Sequence, residues 1–239
     1  MRSFFLVRHG EARTVDEEGV IRNYTGAELT ERGIRQAQAL RDYFQETKFS
    51  AVYASDLKRS LQTAEIVVQG RGMQVRTDPH LREFSVGQLE GITVSEAIDR
   101  YFPSARNIQS PADFRAQFSL QGRFPGGERL SEFEGRVLKA WKRLVAAEGE
   151  DGPVLVAAHG GVNRVILADL LGLPMEMEGL ARIDQDPAAL NLIVYVPREG
   201  MPDHGIVRII NYTPYSPTKS DLGLDRFIVS MLKGQVPQA

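Results

Sequence analysis

The sequence predicts an α/β fold: a mostly parallel central sheet covered by helices on both faces, with a small helical cap insertion. Three observations predict it. Six short apolar runs recur along the chain, and continuous runs of this length suit strands buried on both faces. Amphipathic stretches with a single apolar face lie between them. Strand–helix alternation at this spacing builds parallel units.

The elements follow in order. Phe4-Phe5-Leu6-Val7 is the first strand; its apolar part is too short for a signal peptide and runs straight into Arg8 and His9. Thr30 N-caps a helix whose Ala37, Leu40 and Phe44 share one face. Ala51-Val52-Tyr53-Ala54 is the second strand, and Ser55 caps the next helix, with Leu57, Leu61, Ala64 and Val68 as its buried stripe. Gln74-Val75-Arg76-Thr77 is the third strand. Thr93-Val94-Ser95-Glu96 is a capping box for a short helix that Pro103 ends, and Ser110-Pro111-Ala112-Asp113 starts another. Residues from about 92 to 127 therefore form the cap insertion.

Leu130, Phe133, Val137, Trp141 and Leu144 mark a long helix. Val154-Leu155-Val156-Ala157-Ala158 is the clearest strand; the helix over 162–171 follows and stops at Gly172 and Pro174. Leu192-Ile193-Val194-Tyr195-Val196 and Ile206-Val207-Arg208-Ile209-Ile210 complete the sheet. Beyond Tyr212 a C-terminal extension, about 213–239, opens with Pro214 and Pro217. Its Phe227, Ile228, Met231 and Leu232 form a short apolar helix that docks on the parent domain or makes a homodimer contact. With no repeat and no linker, residues 1–239 read as one domain.

Composition narrows the function. Apolar residues are 42% and charged residues 25%, as in ordinary globular proteins, and a chain of this length buries about 70% of its surface. The absence of Cys excludes disulfide scaffolds, thiolate metal sites and Cys nucleophiles and suits a reducing, cytoplasmic compartment. A net charge of −2 imposes no basic face for nucleic acid. No apolar run reaches the ~18 residues of a membrane helix.

Polar residues stand at the ends of the apolar runs. In an open α/β sheet, ligands sit beyond the carboxyl ends of the strands. Arg8-His9-Gly10-Glu11 follows the first strand. Arg8 suits a phosphate or carboxylate, and His9 a nucleophile or base. Ala158-His159-Gly160-Gly161 follows the clearest strand and opens a helix whose N-terminus offers N–H groups to an anion. Two of only four His thus end the two most apolar strands. Arg59, early in the second helix, is either a solvated helix charge or the second guanidinium of a phosphate clamp. Glu83 and Glu90, among Phe84, Val86, Leu89 and glycines, are either solvated loop carboxylates or proton donors.

The ordered set comprises Arg8-His9-Gly10-Glu11, Leu29-Thr30-Glu31-Arg32-Gly33 with Gln36-Ala37, Ser55-Asp56-Leu57 with Arg59 and Thr63-Ala64, Leu81-Arg82-Glu83 with Gly87 and Glu90-Gly91, Pro125-Gly126-Gly127-Glu128, and His159-Gly160-Gly161. Over about residues 2–196 it resembles the histidine phosphatase superfamily, in its phosphoglycerate mutase-like branch. The resemblance implies a phosphoryl-transfer enzyme that needs no metal or other cofactor and works through a phosphohistidine. It makes His9 the nucleophile. Arg8, Arg59 and His159 surround the phosphoryl group, and Glu83 protonates the leaving oxygen and then activates water. The expected substrate is a small phosphorylated metabolite.

Two departures stand out. The family often places an Asn phosphate ligand where this chain has Val15, which leaves Asn23 or Thr25 to supply a contact. The mutases follow the acid with Arg, His and Tyr; Phe84, Ser85 and Val86 stand here, which favours hydrolysis. The alternatives are a 2,3-bisphosphoglycerate-dependent mutase and a non-catalytic phospho-ligand-binding protein. Asp184-Gln185-Asp186 faintly resembles magnesium-dependent aspartyl-phosphate phosphatases, although no other part of that machinery is present.

Overall fold

The computed structural model describes residues 1–24, 26–101, 124–148, 152–176, 180 and 182–219. Six strands form one sheet: β1 (Arg2–Arg8), β2 (Ala51–Ala54), β3 (Val75–Thr77), β4 (Val154–Ala158), β5 (Leu190–Arg198) and β6 (Met201–Tyr212). Their order across the sheet is β3-β2-β4-β1-β5-β6. The five described helices are α1 (Glu31–Tyr43), α2 (Lys58–Val67), α3 (Val94–Tyr101), α4 (Leu130–Ala147) and α5 (Gly160–Leu171).

The sheet is mostly parallel, as its apolar runs predict. β1 and β2 both run parallel to β4, and β3 runs parallel to β2. The exception is at one edge, where β5 is antiparallel to β1 and β6 to β5. No helix separates β5 from β6, so the chain reverses at Glu199-Gly200 and can pair only as a hairpin. Alternate residues serve opposite cores. Phe4, Leu6, Val154 and Val156 pack with Phe133, Val137, Trp141 and Ile166 of α4 and α5. Val7, Val52, Leu155 and Ala157 pack with Leu40, Phe44, Ala64 and Val67 on the α1/α2 face.

Parallel register positions the site. Arg8 lies beside Ala158, and Ala54 beside Ala157. The carboxyl ends of β1, β2 and β4 are therefore level. The chain leaves them through His9, Ser55 and His159, and His9 N–H donates to Ala158 O (3.0 Å).

The helices match their apolar stripes with one correction. Thr30 caps α1, its Oγ1 accepting the Gly33 N–H (3.0 Å). α2 begins at Lys58 with Leu57, not Ser55, in the capping position. Leu57, Ala64 and Val68 are buried as the stripe requires and Leu61 is half-buried, but Arg59, Ser60, Thr63 and Val67 are buried too. In the cap insertion, Thr93 Oγ1 accepts the Glu96 N–H (3.1 Å) at the start of α3. Pro103, Ser110-Pro111-Ala112-Asp113 and the apolar residues Phe227, Ile228, Met231 and Leu232 lie outside the described residues, as does Thr25. The described start of the C-terminal extension lies against the body. Thr213 is buried, the Tyr215 hydroxyl donates to Pro187 O (2.6 Å), and Lys219 Nζ pairs with Asp186 (2.6 Å).

Candidate active site

All four parallel strands deliver a residue to one place. β1 ends in Arg8 and His9, β2 leads to Arg59 at the start of α2, β3 leads through the turn Pro79–Leu81 to Glu83, and β4 ends in His159 at the N-terminus of α5.

His9 is almost wholly buried, at 6% exposure. Its Nδ1 lies 2.7 Å from Gly10 O. A carbonyl only accepts, so the proton sits on Nδ1 and Nε2 carries the lone pair. Nε2 in turn accepts the Arg59 Nε–H at 3.1 Å. Burial, and then Arg59 and Arg8, hold the His9 pKa well below the ordinary value, so the ring is neutral at pH 7. The loop is held from behind. Gly10 N–H donates to Thr63 Oγ1 (3.1 Å), and Glu11 N–H donates to Gln36 Oε1 (2.8 Å). Gly10 lies so close to the backbone of Gly33 that a Cβ would collide with Gly33 O. This explains why the Leu29–Gly33 and Gln36 motif accompanies Arg8-His9-Gly10-Glu11.

Arg59 is 2% exposed, which corrects the solvated-helix alternative. Its NH1 donates to Asn23 O (2.5 Å), and its NH2 donates weakly to Asn23 Oδ1 (3.4 Å). Burial lowers its pKa to about 10, so it stays cationic at neutral pH. Arg8 donates through NH1 to Gln185 O, while its buried Nε has no hydrogen-bond partner. Burial lowers the Arg8 pKa as well, against the opposing field of Glu83.

His159 is fully buried and both its ring nitrogens lack a partner. Its ring centre stands 5.1 Å from that of His9. Burial, then Arg59 and His9, push its pKa well below the ordinary value. A buried imidazole without partners costs free energy, and its N–H is a donor suited to an anionic oxygen. Glu83 spans to α5, with Oε2 accepting the Gly161 N–H (3.0 Å) and Oε1 the Phe84 N–H (2.9 Å).

Of the two residues left to stand in for the missing Asn ligand, Asn23 is beside Arg59, as above. Val15 is buried and bridges Ile21, so the lengthened loop folds back on itself. Glu90 is not a solvated carboxylate: it accepts the backbone N–H groups of Asn23 (3.0 Å) and Tyr24 (3.1 Å). Asp184 and Asp186 are used structurally. Asp184 Oδ1 accepts the Gln185 N–H (2.9 Å), and Asp186 holds Asn211 and Lys219. Among the described residues no group of three or more His, Asp or Glu is placed to hold a metal ion. Sequence reasoning missed Tyr24 and Arg136, whose side chains donate to Glu83 O from distant parts of the chain and carry no local signal, and gave Gln185, whose carbonyl accepts from Arg8, no part in this site.

The geometry brings together a neutral buried imidazole, a second imidazole, two guanidinium groups and the Glu83 carboxyl. The model of the histidine phosphatase superfamily (branch 1) matches residues 4–202, and the chain belongs to that superfamily. Two of its relatives carry names of different activities. A probable 2-carboxy-D-arabinitol-1-phosphatase of Arabidopsis thaliana is 30% identical over 214 residues, 89% of this chain and 42% of that protein. The chain thus spans less than half the length of that relative. A probable phosphoglycerate mutase, GpmB, of Proteus mirabilis is 33% identical over 188 residues, 77% of this chain and 81% of that one. Among solved structures, YhfR of Bacillus stearothermophilus superposes with a TM-score of 0.67 at 27% identity, over 86% of this chain and 96% of that one. A mycobacterial glucosyl-3-phosphoglycerate phosphatase with bound inorganic phosphate superposes with a TM-score of 0.69 at 25% identity, over 90% and 99%. Among the described residues no helix is long and apolar enough to cross a membrane.

Proposed function

We propose that this protein is a phosphatase that hydrolyses phosphomonoesters of small metabolites through a phosphohistidine on His9. The observation that carries the reading is the His9 tautomer: Nδ1–H is tied to Gly10 O, and the Nε2 lone pair faces the buried cation Arg59. Nε2 attacks phosphorus while the ester P–O bond breaks and Glu83 gives its proton to the leaving oxygen. Water then attacks phosphorus, Glu83 takes the water proton, the P–N bond breaks and inorganic phosphate leaves. Arg8, Arg59 and His159 face the equatorial oxygens, where the transition-state charge lies. Thr25 is the remaining contact on the substrate side. No step needs a metal or cofactor.

The reading takes residues 1–239 as one catalytic domain in the cytoplasm, with residues 92–127 shaping the pocket mouth and 213–239 as an extension; the extension is the place for any homodimer contact. Mutase action is the second reading, favoured by likeness to GpmB and opposed by Phe84, Ser85 and Val86. One experiment separates them. Purified protein is offered a panel of phosphometabolites with and without 2,3-bisphosphoglycerate, and the reaction is quenched in alkali to preserve a P–N bond. Stoichiometric phosphate release without primer, with label on His9 that His9→Ala abolishes, supports the phosphatase. Primer-dependent isomerisation with negligible phosphate release supports the mutase, and neither would indicate a binding protein.

A further inference from the structure

Glu83 stands on a stretch with no strand ladder, between the turns Pro79–Leu81 and Gly87–Leu89. Backbone groups in such a stretch need partners from elsewhere. One side chain supplies most of them. Arg136 of α4 uses all five of its guanidinium N–H groups. NH1 donates to His80 O (2.9 Å) and Arg82 O (2.8 Å), and NH2 to Glu83 O (3.0 Å) and Glu128 Oε1 (2.6 Å). Nε donates to Glu128 Oε2 (2.8 Å).

Glu128 thus grips the other side of the fork, and its Oε1 also accepts the Ser85 N–H (3.0 Å). A single ion pair therefore holds the carbonyls of residues 80, 82 and 83 and the N–H of residue 85. The guanidinium lies over the Phe133 ring (4.8 Å), and Phe133 packs against Phe84 (5.3 Å). The Tyr24 hydroxyl adds a second donor to Glu83 O. The pair is largely buried, at 21% and 17% side-chain exposure, so breaking it costs stability as well as geometry. What marks it out is that its bonds converge on the backbone around Glu83.

We propose that Arg136, locked by Glu128 and assisted by Tyr24, is a positioning residue that aims the Glu83 carboxyl at the leaving-group oxygen. The inference rests on the reading of Glu83 as proton donor. A lysine, with a compact ammonium in place of the planar fork, cannot bridge three carbonyls and a carboxylate.

The test is a leaving-group series read as kcat/KM, which reports phosphoryl transfer to His9. Dinitrophenyl phosphate releases an anion that needs no proton; an alkyl phosphate releases one that does. The alkyl-to-dinitrophenyl ratio within one variant is independent of the fraction folded. Glu83→Gln should lose about 10²–10⁴-fold with the alkyl ester and little with the other. Arg136→Lys should show the same selectivity at about 10- to 100-fold, with Tyr24→Phe and Glu128→Gln in the same direction but smaller. In the Glu83→Gln background, Arg136→Lys should add nothing. If Arg136→Lys lowers both esters equally, or neither, while Glu83→Gln remains selective, the positioning role is wrong. If Glu83→Gln is itself unselective, the proton-donor reading fails and takes this proposal with it.

Discussion

Replacing Arg59 with Met keeps an unbranched apolar stem and removes the guanidinium, and the consequences run in opposite directions for stability and activity. Burial lowers the guanidinium from 12.5 to about 10, so holding the cation there at pH 7 costs about 3 kcal/mol. Against this, Arg59→Met leaves Asn23 O and His9 Nε2 without their donors, a loss of about 1–3 kcal/mol. The two nearly cancel, so the ligand-free variant should fall within about 2 kcal/mol of the wild type, on either side. Phosphate linkage should differ sharply. Inorganic phosphate at a hundred times its Kd stabilises a binding fold by about 2.7 kcal/mol, and Arg59→Met should lose most of that. The assay is urea unfolding at pH 7.5 with and without phosphate, alongside kcat/KM, which should fall by at least about 10³-fold if the cation meets the transition-state charge. Retained phosphate stabilisation, or near-normal kcat/KM, would show that Arg59 does not meet the phosphoryl group. Destabilisation well beyond 2 kcal/mol would show that the charge is held more cheaply than its burial implies.

Three further outcomes are expected. The folded pKa values of His9 and His159 are lowered, so below pH 6.5 the unfolded chain binds protons that the fold refuses. Stability should then fall by about 1.4 kcal/mol per pH unit for each histidine, with no contribution from them above that pH. Urea midpoints from pH 5 to 8 in phosphate-free buffer should show a clearly shallower slope for His159→Gln, and an unchanged slope refutes the assignment. A Cβ on Gly161 would collide with Glu83 Oε1, so Gly161→Ala should cost about 10²-fold in kcat/KM for an alkyl phosphate; activity within threefold of wild type counts against the Glu83 placement. Truncation after Tyr212 removes the Tyr215–Pro187 and Lys219–Asp186 bonds and the buried Thr213. It should cost about 2 kcal/mol, a fall of roughly 4–8 °C in Tm by calorimetry, and no shift would mean that those contacts contribute nothing.

Local pattern determined much of this protein by itself. The apolar runs Phe4 to Val7 and Val154 to Ala158 place two strands, since burial on both faces demands unbroken apolar sequence. The polar residues at their ends, Arg8, His9 and His159, follow because a sheet's carboxyl ends face the ligand. The apolar run of 206–210, broken by Arg208, gave a strand but not its direction; that came from the hairpin at Glu199-Gly200. Only the tertiary structure decided that Arg59 is buried, because its fate depends on Asn23 and His9, many residues away. Arg136 was equally invisible. A helix Arg followed by Val is indistinguishable from a solvated charge until α4 is laid against the turn that carries Glu83. Sequence periodicity reports which face of an element avoids water; which polar groups meet across elements depends on register and packing between segments distant in the chain, which no local pattern encodes.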